Sequence, residues 1–134
     1  MPLLENDVIF AYLNEYDPSH NIAERIFKKM QKGEIVVEIS SVSLIEMELT
    51  YLSEKMEDSL LKDLAAVAAL PNVRYVALTP DVAVASAYLR QILNLTFFDS
   101  HYAATALNLD RKIISFDHAY DTVPGLTRIE PEKI

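Results

Sequence analysis

Residues 97–121 read FFDSHYAATALNLDRKIISFDHAYD, and this stretch says the most about the fold. Asp99 opens a predicted helix, and a short basic turn leads from that helix into the apolar strand Ile113–Ile114. Asp117 follows the strand, and in a helix-then-strand unit two such carboxylates can lie at one edge of a sheet. Carboxylate oxygens are the ligands that hard metal ions prefer, so the stretch predicts a metal-dependent hydrolase.

The overall composition is that of one globular domain spanning residues 1–134, with 51% hydrophobic and 24% charged residues. No cysteine is present, which excludes disulfides and thiolate metal sites and favours a reducing compartment. The N-terminus lacks a basic segment followed by an apolar one, so we expect no signal peptide and a cytoplasmic protein. The longest apolar run, residues 64–70, is far too short to span a membrane.

The formal net charge of −8 argues, taken alone, against binding to nucleic acid. It does not decide the question, because divalent metals bound at an acidic cluster would cancel part of the charge. A local basic patch can also outweigh the total charge. The candidate patch is Arg25, Lys28, Lys29 and Lys32, and we interpret it as a solvated helix face.

Strands and helices alternate along the chain. Strands are predicted at 2–4, 35–37, 73–77, 113–114 and 126–129, and helices at 8–13, 18–32, 41–56, 58–70, from 79, and from 99. This alternation predicts a three-layer α/β/α fold with a mostly parallel central sheet of about five strands. Right-handed crossovers would bring the carboxyl ends of the strands to one edge, where such folds bind ligands.

Acidic residues recur near that predicted edge. Glu5 ends the first strand, Glu46 and Glu48 lie in the helix after the second, and Asp99 and Asp117 flank the last helix–strand unit. Each has an ordinary structural explanation as well, since Asp99 and Asp117 are good N-caps. Glu5 can be a flanking charge beside a helix capped by Asn6. As a set they favour a bound cation, because clustered carboxylates raise each other's pKa.

Two predicted helices carry apolar residues whose burial the sequence predicts. The helix after the second strand carries an apolar stripe, which is typical of a core-facing surface: Val42, Ile45, Leu49, Leu52 and Met56. Glu46 and Glu48 flank this stripe on its two sides, so spacing does not choose between them. The next helix, about 59–70, is almost wholly apolar after Asp63, which suits burial in the core or at a subunit contact; we expect the core.

Four motifs together resemble the PIN-domain ribonucleases, and within them the small VapC-like toxins. They are LLENDV at 3–8, ISSVSLIE at 39–46, DSHYAATA at 99–106 and IISFD at 113–117. The resemblance extends over essentially the whole chain, and the last two motifs are the most specific. It implies a PIN-like fold and an endoribonuclease that leaves a 5′-phosphate. It also implies a homodimer and a protein antitoxin that blocks the site.

The resemblance also implies a set of site residues. Carried over by position, Glu5, Glu46, Asp99 and Asp117 would bind Mg²⁺ or Mn²⁺ and act in catalysis, and the family pattern selects Glu46 over Glu48. Ser115 and Asn6 would support the site. Asp7 and Asp121 are lesser candidates for metal ligands.

One position departs from the family pattern, whose first acid is normally aspartate. Here Glu5 stands in that place, with Asp7 two residues on. A glutamate carboxylate lies about a bond length further from the backbone, and metal–ligand distances must hold within ~0.2 Å. The alternative function is therefore a catalytically weakened PIN fold that binds RNA or a protein. A receiver-type phosphoacceptor domain ranks lower, because Lys112 precedes the strand that it should follow.

Overall fold

Five short strands form the centre of the protein in a computed structural model that describes all residues from 1 to 134. They are β1 (Leu3–Leu4), β2 (Val37–Ser40), β3 (Val73–Val76), β4 (Lys112–Ile114) and β5 (Thr127–Ile129). Every neighbouring pair is parallel, in the order β3-β2-β1-β4-β5. The predicted parallel sheet of about five strands is confirmed.

Six α-helices connect these strands. They are α1 (Asn6–Leu13), α2 (His20–Gln31), α3 (Ser41–Ser53), α4 (Glu57–Ala68), α5 (Pro80–Ile92) and α6 (Phe97–Leu107). Two short 3₁₀ turns follow, η1 (His118–Thr122) and η2 (Pro131–Lys133). The predicted N-cap Ser40 and the proline at the start of α5 are both present. None of the helices has the length and apolar character needed to cross a membrane.

Alternation along the strands divides the interior into two cores. Leu4 and Ile114 point to one side of the sheet and pack with the buried faces of α1 and α2. Leu3 and Ile113 point to the other side and pack with α5 and α6. Because successive residues of a strand face opposite sides, each short central strand serves both cores. The result is the predicted three-layer α/β/α arrangement.

Strand β2 begins two residues later than predicted. The sequence placed it at 35–37, whereas the structure has Val37–Ser40, with Glu38 in its middle only 2% exposed. Arg74 of the edge strand β3 lies in register with Glu38 and forms an ion pair with it. A buried carboxylate inside a strand is tolerated because this cross-strand arginine neutralises it.

Two of the predicted N-caps are wrong, those of α1 and α6. Thr96, not Asp99, caps α6, since its Oγ1 accepts a hydrogen bond from the Asp99 backbone N at 3.3 Å. Glu5, not Asn6, caps α1, with Oε1 3.3 Å from the backbone N of Asp7. The Asp99 carboxylate is therefore not used as a cap and is available for other contacts.

The apolar faces of α3 and α4 are not where the pattern indicated. The α3 stripe is largely exposed: Ile45 55%, Leu49 52%, Leu52 51% and Met56 41%, with only Val42 buried. Met47 and Tyr51 form its buried face instead. In α4 only Val67 is buried, so the expectation of a core helix is wrong. An apolar pattern marks a surface that avoids water, and it does not say whether the same chain covers that surface.

Capping of α6 can be tested by two substitutions in its first turn. Thr96→Ala should lower the free energy of unfolding by about 1 kcal/mol, because it removes the side-chain acceptor, and Thr96→Ser should restore it. Asp99→Asn should cost nothing in the absence of metal, because Asp99 is not the cap and burial disfavours its charge. Urea unfolding in EDTA measures all three. A loss in Asp99→Asn equal to that in Thr96→Ala would contradict the assignment.

Candidate metal site

The central strands β1 and β4 bring the candidate residues together. The chain runs from β1 through α1 and α2 to β2 on one side of β1, whereas β4 lies on its other side. The order in which strands join the sheet therefore reverses between β1 and β4. Open α/β sheets bind ligands at such a switch point, outside the carboxyl ends of the strands. Glu5 follows β1 directly, and its backbone N donates to the Ile114 carbonyl oxygen at 3.1 Å. Ser115 and Asp117 follow β4.

Ser115 joins the two strand ends through its hydroxyl. Ser115 Oγ lies 2.7 Å from Asp7 Oδ2 and 3.2 Å from Glu5 Oε2. Its single proton can serve only one of them, and the shorter distance favours Asp7. The backbone N of Phe116 also donates to Asp7 Oδ2 at 2.9 Å. Asp7 is thus held inside the cluster beside Glu5, with its other oxygen, Oδ1, buried and without a hydrogen-bond partner.

Glu46 is held in the cluster by two side chains from other elements. Asn6 Nδ2 donates to Glu46 Oε1 at 2.8 Å and to the Ser43 carbonyl oxygen at 2.9 Å. The Tyr102 hydroxyl donates to the same Glu46 oxygen at 2.9 Å. Glu48, by contrast, is exposed. Helix α3 therefore presents one glutamate to the cluster and the other to solvent.

Asp99 and Asp117 lie on the outer side of the cluster. The Tyr120 hydroxyl donates to Asp99 Oδ1 at 3.3 Å. Asp117 caps η1, as predicted, with Oδ1 accepting from the Ala119 backbone N at 2.8 Å. Burial raises the pKa of Asp99, and repulsion from the Asp117 carboxylate raises it further, so the two remain electrostatic neighbours. Asp117 therefore caps η1 and also lies near Asp99.

Asp121 is not brought into this group. Arg128 donates to its Oδ1 from Nε at 3.0 Å, and His118 lies 2.9 Å from its Oδ2. Arg128 also donates to the Ser115 carbonyl oxygen at 3.0 Å, so this ion pair fastens η1 beside the end of β4. Two residues that sequence reasoning missed are Tyr102 and Tyr120, whose hydroxyls bind the carboxylates. No local pattern marks them, because buried tyrosines are ordinary core residues.

The cluster carries negative charge with no cation to balance it. It contains five carboxylates: Glu5, Asp7, Glu46, Asp99 and Asp117. None of them forms an ion pair with a Lys, Arg or His side chain. Burial, and then repulsion from Asp7, Glu46 and Asp99, raises the pKa of Glu5 well above its ordinary value. Burial also raises the pKa of Asp7, of Glu46 and of Asp99, against hydrogen bonds that lower them. Bringing these groups together therefore costs free energy at neutral pH.

The donor set fits a hard divalent cation in its chemistry. Every candidate donor is a carboxylate oxygen, and the unpartnered Asp7 Oδ1 is a buried acceptor that a cation would satisfy. In the side-chain positions of this structure, no three His, Asp or Glu residues are placed to hold one ion together. The structure thus provides the ligand type and the unbalanced charge, without a closed ligand shell.

The raised pKa of Glu5 leads to a pH-dependent stability. A carboxyl group whose folded-state pKa lies above its unfolded value of 4.5 favours folding below that value and loses this contribution as pH rises through the folded pKa. In EDTA, the urea midpoint of the wild type should therefore fall relative to that of Glu5→Gln between pH 5 and pH 8.

The matched control is Glu48→Gln on the exposed side of α3, whose effect should stay within about 0.5 kcal/mol. A Glu5→Gln protein that is less stable than the wild type at pH 8 would contradict the charge assignment at Glu5.

Solved structures with a similar fold include three toxins or toxin complexes. VapBC2 from Rickettsia felis, bound to a promoter DNA fragment, has a TM-score of 0.70 at 16% identity, over 95% of this chain and 96% of that chain. A toxin–antitoxin complex from Klebsiella pneumoniae has a TM-score of 0.66 at 19% sequence identity, over 98% of this chain and 98% of that chain. VapC20 from Mycobacterium tuberculosis is a sarcin–ricin loop cleaving toxin. It has a TM-score of 0.71 at 19% sequence identity, over 90% of this chain and 93% of that chain.

At these identities the structural likeness establishes the fold, which is that of the VapC structures. No curated protein sequence matches the chain significantly. The sequence profile of the PIN domain, however, matches residues 3–126, from β1 through η1 almost to β5. The chain therefore belongs to the PIN domain family.

Proposed function

We propose that this protein is a divalent-metal-dependent endoribonuclease and the toxin of a toxin–antitoxin pair. One observation carries the proposal: five carboxylates gather at the switch point of the sheet, and no cationic side chain balances them. A protein that only needed a stable fold would gain by replacing such a cluster with apolar or neutral groups. The unbalanced charge is accounted for if a cation is the functional partner.

Glu46, Asp99 and Asp117, with Glu5 and Asp7 from the end of β1, would hold Mg²⁺ or Mn²⁺. When bound, such an ion lowers the pKa of a coordinated water and neutralises charge on a phosphate. Burial raises the pKa of Glu46, and the hydrogen bonds of the residues around it offset part of that rise and orient its carboxylate. Asn6 and Tyr102 both donate to Glu46, which favours its charged form and fixes one oxygen. Asp7 supplies the buried free oxygen that compensates for glutamate in place of aspartate at position 5.

The substrate class rests on family membership. The chain belongs to the PIN domain family and resembles its ribonucleases, and one of the structures with this fold is described as a sarcin–ricin loop cleaving toxin. We propose RNA as the substrate here, attacked by metal-activated water at a phosphodiester bond. A cytoplasmic location belongs to the same proposal, since RNA and a reducing compartment coincide there.

Protein partners are proposed on similar grounds. Two structures with this fold are toxin–antitoxin assemblies, which supports a protein antitoxin for this chain. A homodimer is proposed as well, and the exposed apolar stripe of α3 supports a protein contact on that face. A molar mass equal to that of one chain, measured by light scattering, would contradict the homodimer.

A weakened PIN fold that binds RNA or protein without cutting is the second candidate. It is favoured by the burial of Glu5, which is only 4% exposed, and by the contacts of both its oxygens with Asp7 N and Ser115. A Glu5 fixed in this way would leave fewer ligands for the ion. This candidate would be favoured by a protein that binds metal without cleaving RNA, or by one that neither binds metal nor cleaves RNA.

Two glutamates on one helix provide a sharp test. Glu46→Gln should reduce Mn²⁺-dependent cleavage of a mixed RNA substrate by on the order of 100-fold or more, because loss of a ligand exceeds the effect of losing an outer partner. Glu48→Gln, two residues away on the exposed side of α3, should cleave at the wild-type rate. Asp99→Asn should behave like Glu46→Gln. The measurement is the initial rate of product formation by gel electrophoresis at fixed Mn²⁺.

Equal rates for wild type, Glu46→Gln and Asp99→Asn would overturn the metal-site assignment, since contaminating nuclease would then account for the cleavage. Circular dichroism and urea midpoints for each variant separate a catalytic loss from a folding loss.

A further inference from the structure

An exposed aromatic ring stands at the start of α6, in the helical turn that also carries Asp99. Phe97 is the first residue of α6, two positions before Asp99, and it is 57% exposed. The guanidinium carbon of Arg90, from α5, lies 5.1 Å from the centre of the Phe97 ring. A single exposed phenylalanine needs no functional explanation. Its pairing with an arginine at the same end of α6 as Asp99 does point to a ligand.

Arg90 is a rigid cation with no carboxylate partner. Its Nη1 donates to Ser86 Oγ and Ser100 Oγ, each at 2.7 Å, and both serines are fully buried. No acidic side chain forms an ion pair with it, although the chain as a whole carries a net charge of −8. Its remaining N–H groups donate to no protein acceptor. A guanidinium fixed in this way is suited to a phosphate group.

The Phe97 ring is also held in place before any ligand arrives. Phe98 packs edge-on against it at 5.2 Å between ring centres, and the His101 ring lies 4.5 Å away. His101 Nδ1 is 2.7 Å from the Phe97 carbonyl oxygen, which ties the histidine to the same turn. An ordered aromatic ring that is more than half exposed can stack a base with little loss of conformational freedom.

We propose that Phe97 and Arg90 form a nucleotide subsite next to the carboxylate cluster. A base of single-stranded RNA stacks on Phe97, and the free N–H groups of Arg90 bind a backbone phosphate of the same strand. Because Phe97 and Asp99 share the first turn of α6, this contact holds the strand at the end of the helix that carries the cluster's Asp99. Phe97 is a positioning residue and takes no part in the chemistry. The proposal rests on the proposed function, because it takes RNA as the substrate.

Stacking of this kind is sequence-tolerant, since every base has a π-face. A loss of the aromatic face should therefore weaken RNA binding and raise KM while leaving kcat nearly unchanged. Loss of Arg90 should weaken binding and also reduce its dependence on salt, because one phosphate contact disappears.

The test uses fluorescence anisotropy of a labelled single-stranded RNA in EDTA, followed by cleavage kinetics in Mn²⁺. Phe97→Ala should raise Kd and KM by about 10-fold, and Phe97→Tyr should restore both. Arg90→Gln should raise Kd and flatten the plot of log Kd against log salt. The matched control is Tyr16→Ala, an aromatic residue that is 85% exposed in the turn after α1, which should bind RNA like the wild type.

Equal Kd and KM for the wild type and Phe97→Ala, with normal cleavage in both, would overturn the subsite and leave the nuclease intact. A wild-type protein that neither binds nor cleaves RNA would overturn the proposed function and the subsite together. A drop in molar mass for Phe97→Ala on light scattering would assign the ring to a subunit contact and overturn the subsite. Urea midpoints close to that of the wild type exclude a folding defect in each variant.

Discussion

The structure depends on a group of carboxylates that it gathers at one edge of the sheet, from buried Glu5 to exposed Asp117, without a balancing cation. Glu5 stands at the end of the central strand β1, 4% exposed, and repulsion from neighbouring carboxylates adds to the cost of its burial. Protonation or a divalent ion can relieve that cost, and the hydrogen bonds around the cluster favour the charged forms of Asp7, Glu46 and Asp99. The arrangement therefore prepares the carboxylates to receive a cation, at the expense of stability in its absence.

The polar contacts around the cluster explain why its position is so closely determined. Helix α3 is tied to α1 and α6 through Glu46, since Asn6 and Tyr102 converge on one oxygen. The ends of β1 and β4 are tied through Ser115, and η1 is fastened to β5 by Arg128. Buried polar networks specify one arrangement when all their members are satisfied. Asp7 Oδ1, like Ser43 Oγ of α3, is buried without a partner, and this carboxylate oxygen lies where a ligand is expected.

Much of this could be predicted from the sequence, for physical reasons that also show the limits. Acids after parallel strands meet at one edge whatever lies between them, so the placement of Glu5 and Asp117 at that edge follows from their positions, and their role as ligands rests on the family resemblance. The choice between Glu46 and Glu48 needed the family pattern, because both flank the same stripe. Thr96 was missed as the cap of α6 because Asp99 has an equally favourable side chain, and only the backbone geometry separates them. The exposed faces of α3 and α4 were missed because an apolar helix face has the same composition whether it is buried or exposed.

The most direct test of a divalent-metal site is diffraction from a crystal soaked in millimolar Mn²⁺, recorded where manganese scatters anomalously. The account predicts an anomalous peak at the carboxyl end of β1 and β4, about 2.0–2.3 Å from oxygens of Asp99 and Glu46, with Asp7 or Glu5 as a further ligand. It predicts no such peak in Asp99→Asn. The absence of any peak at these carboxylates in the wild type, at an occupancy that saturating Mn²⁺ should give, would contradict it.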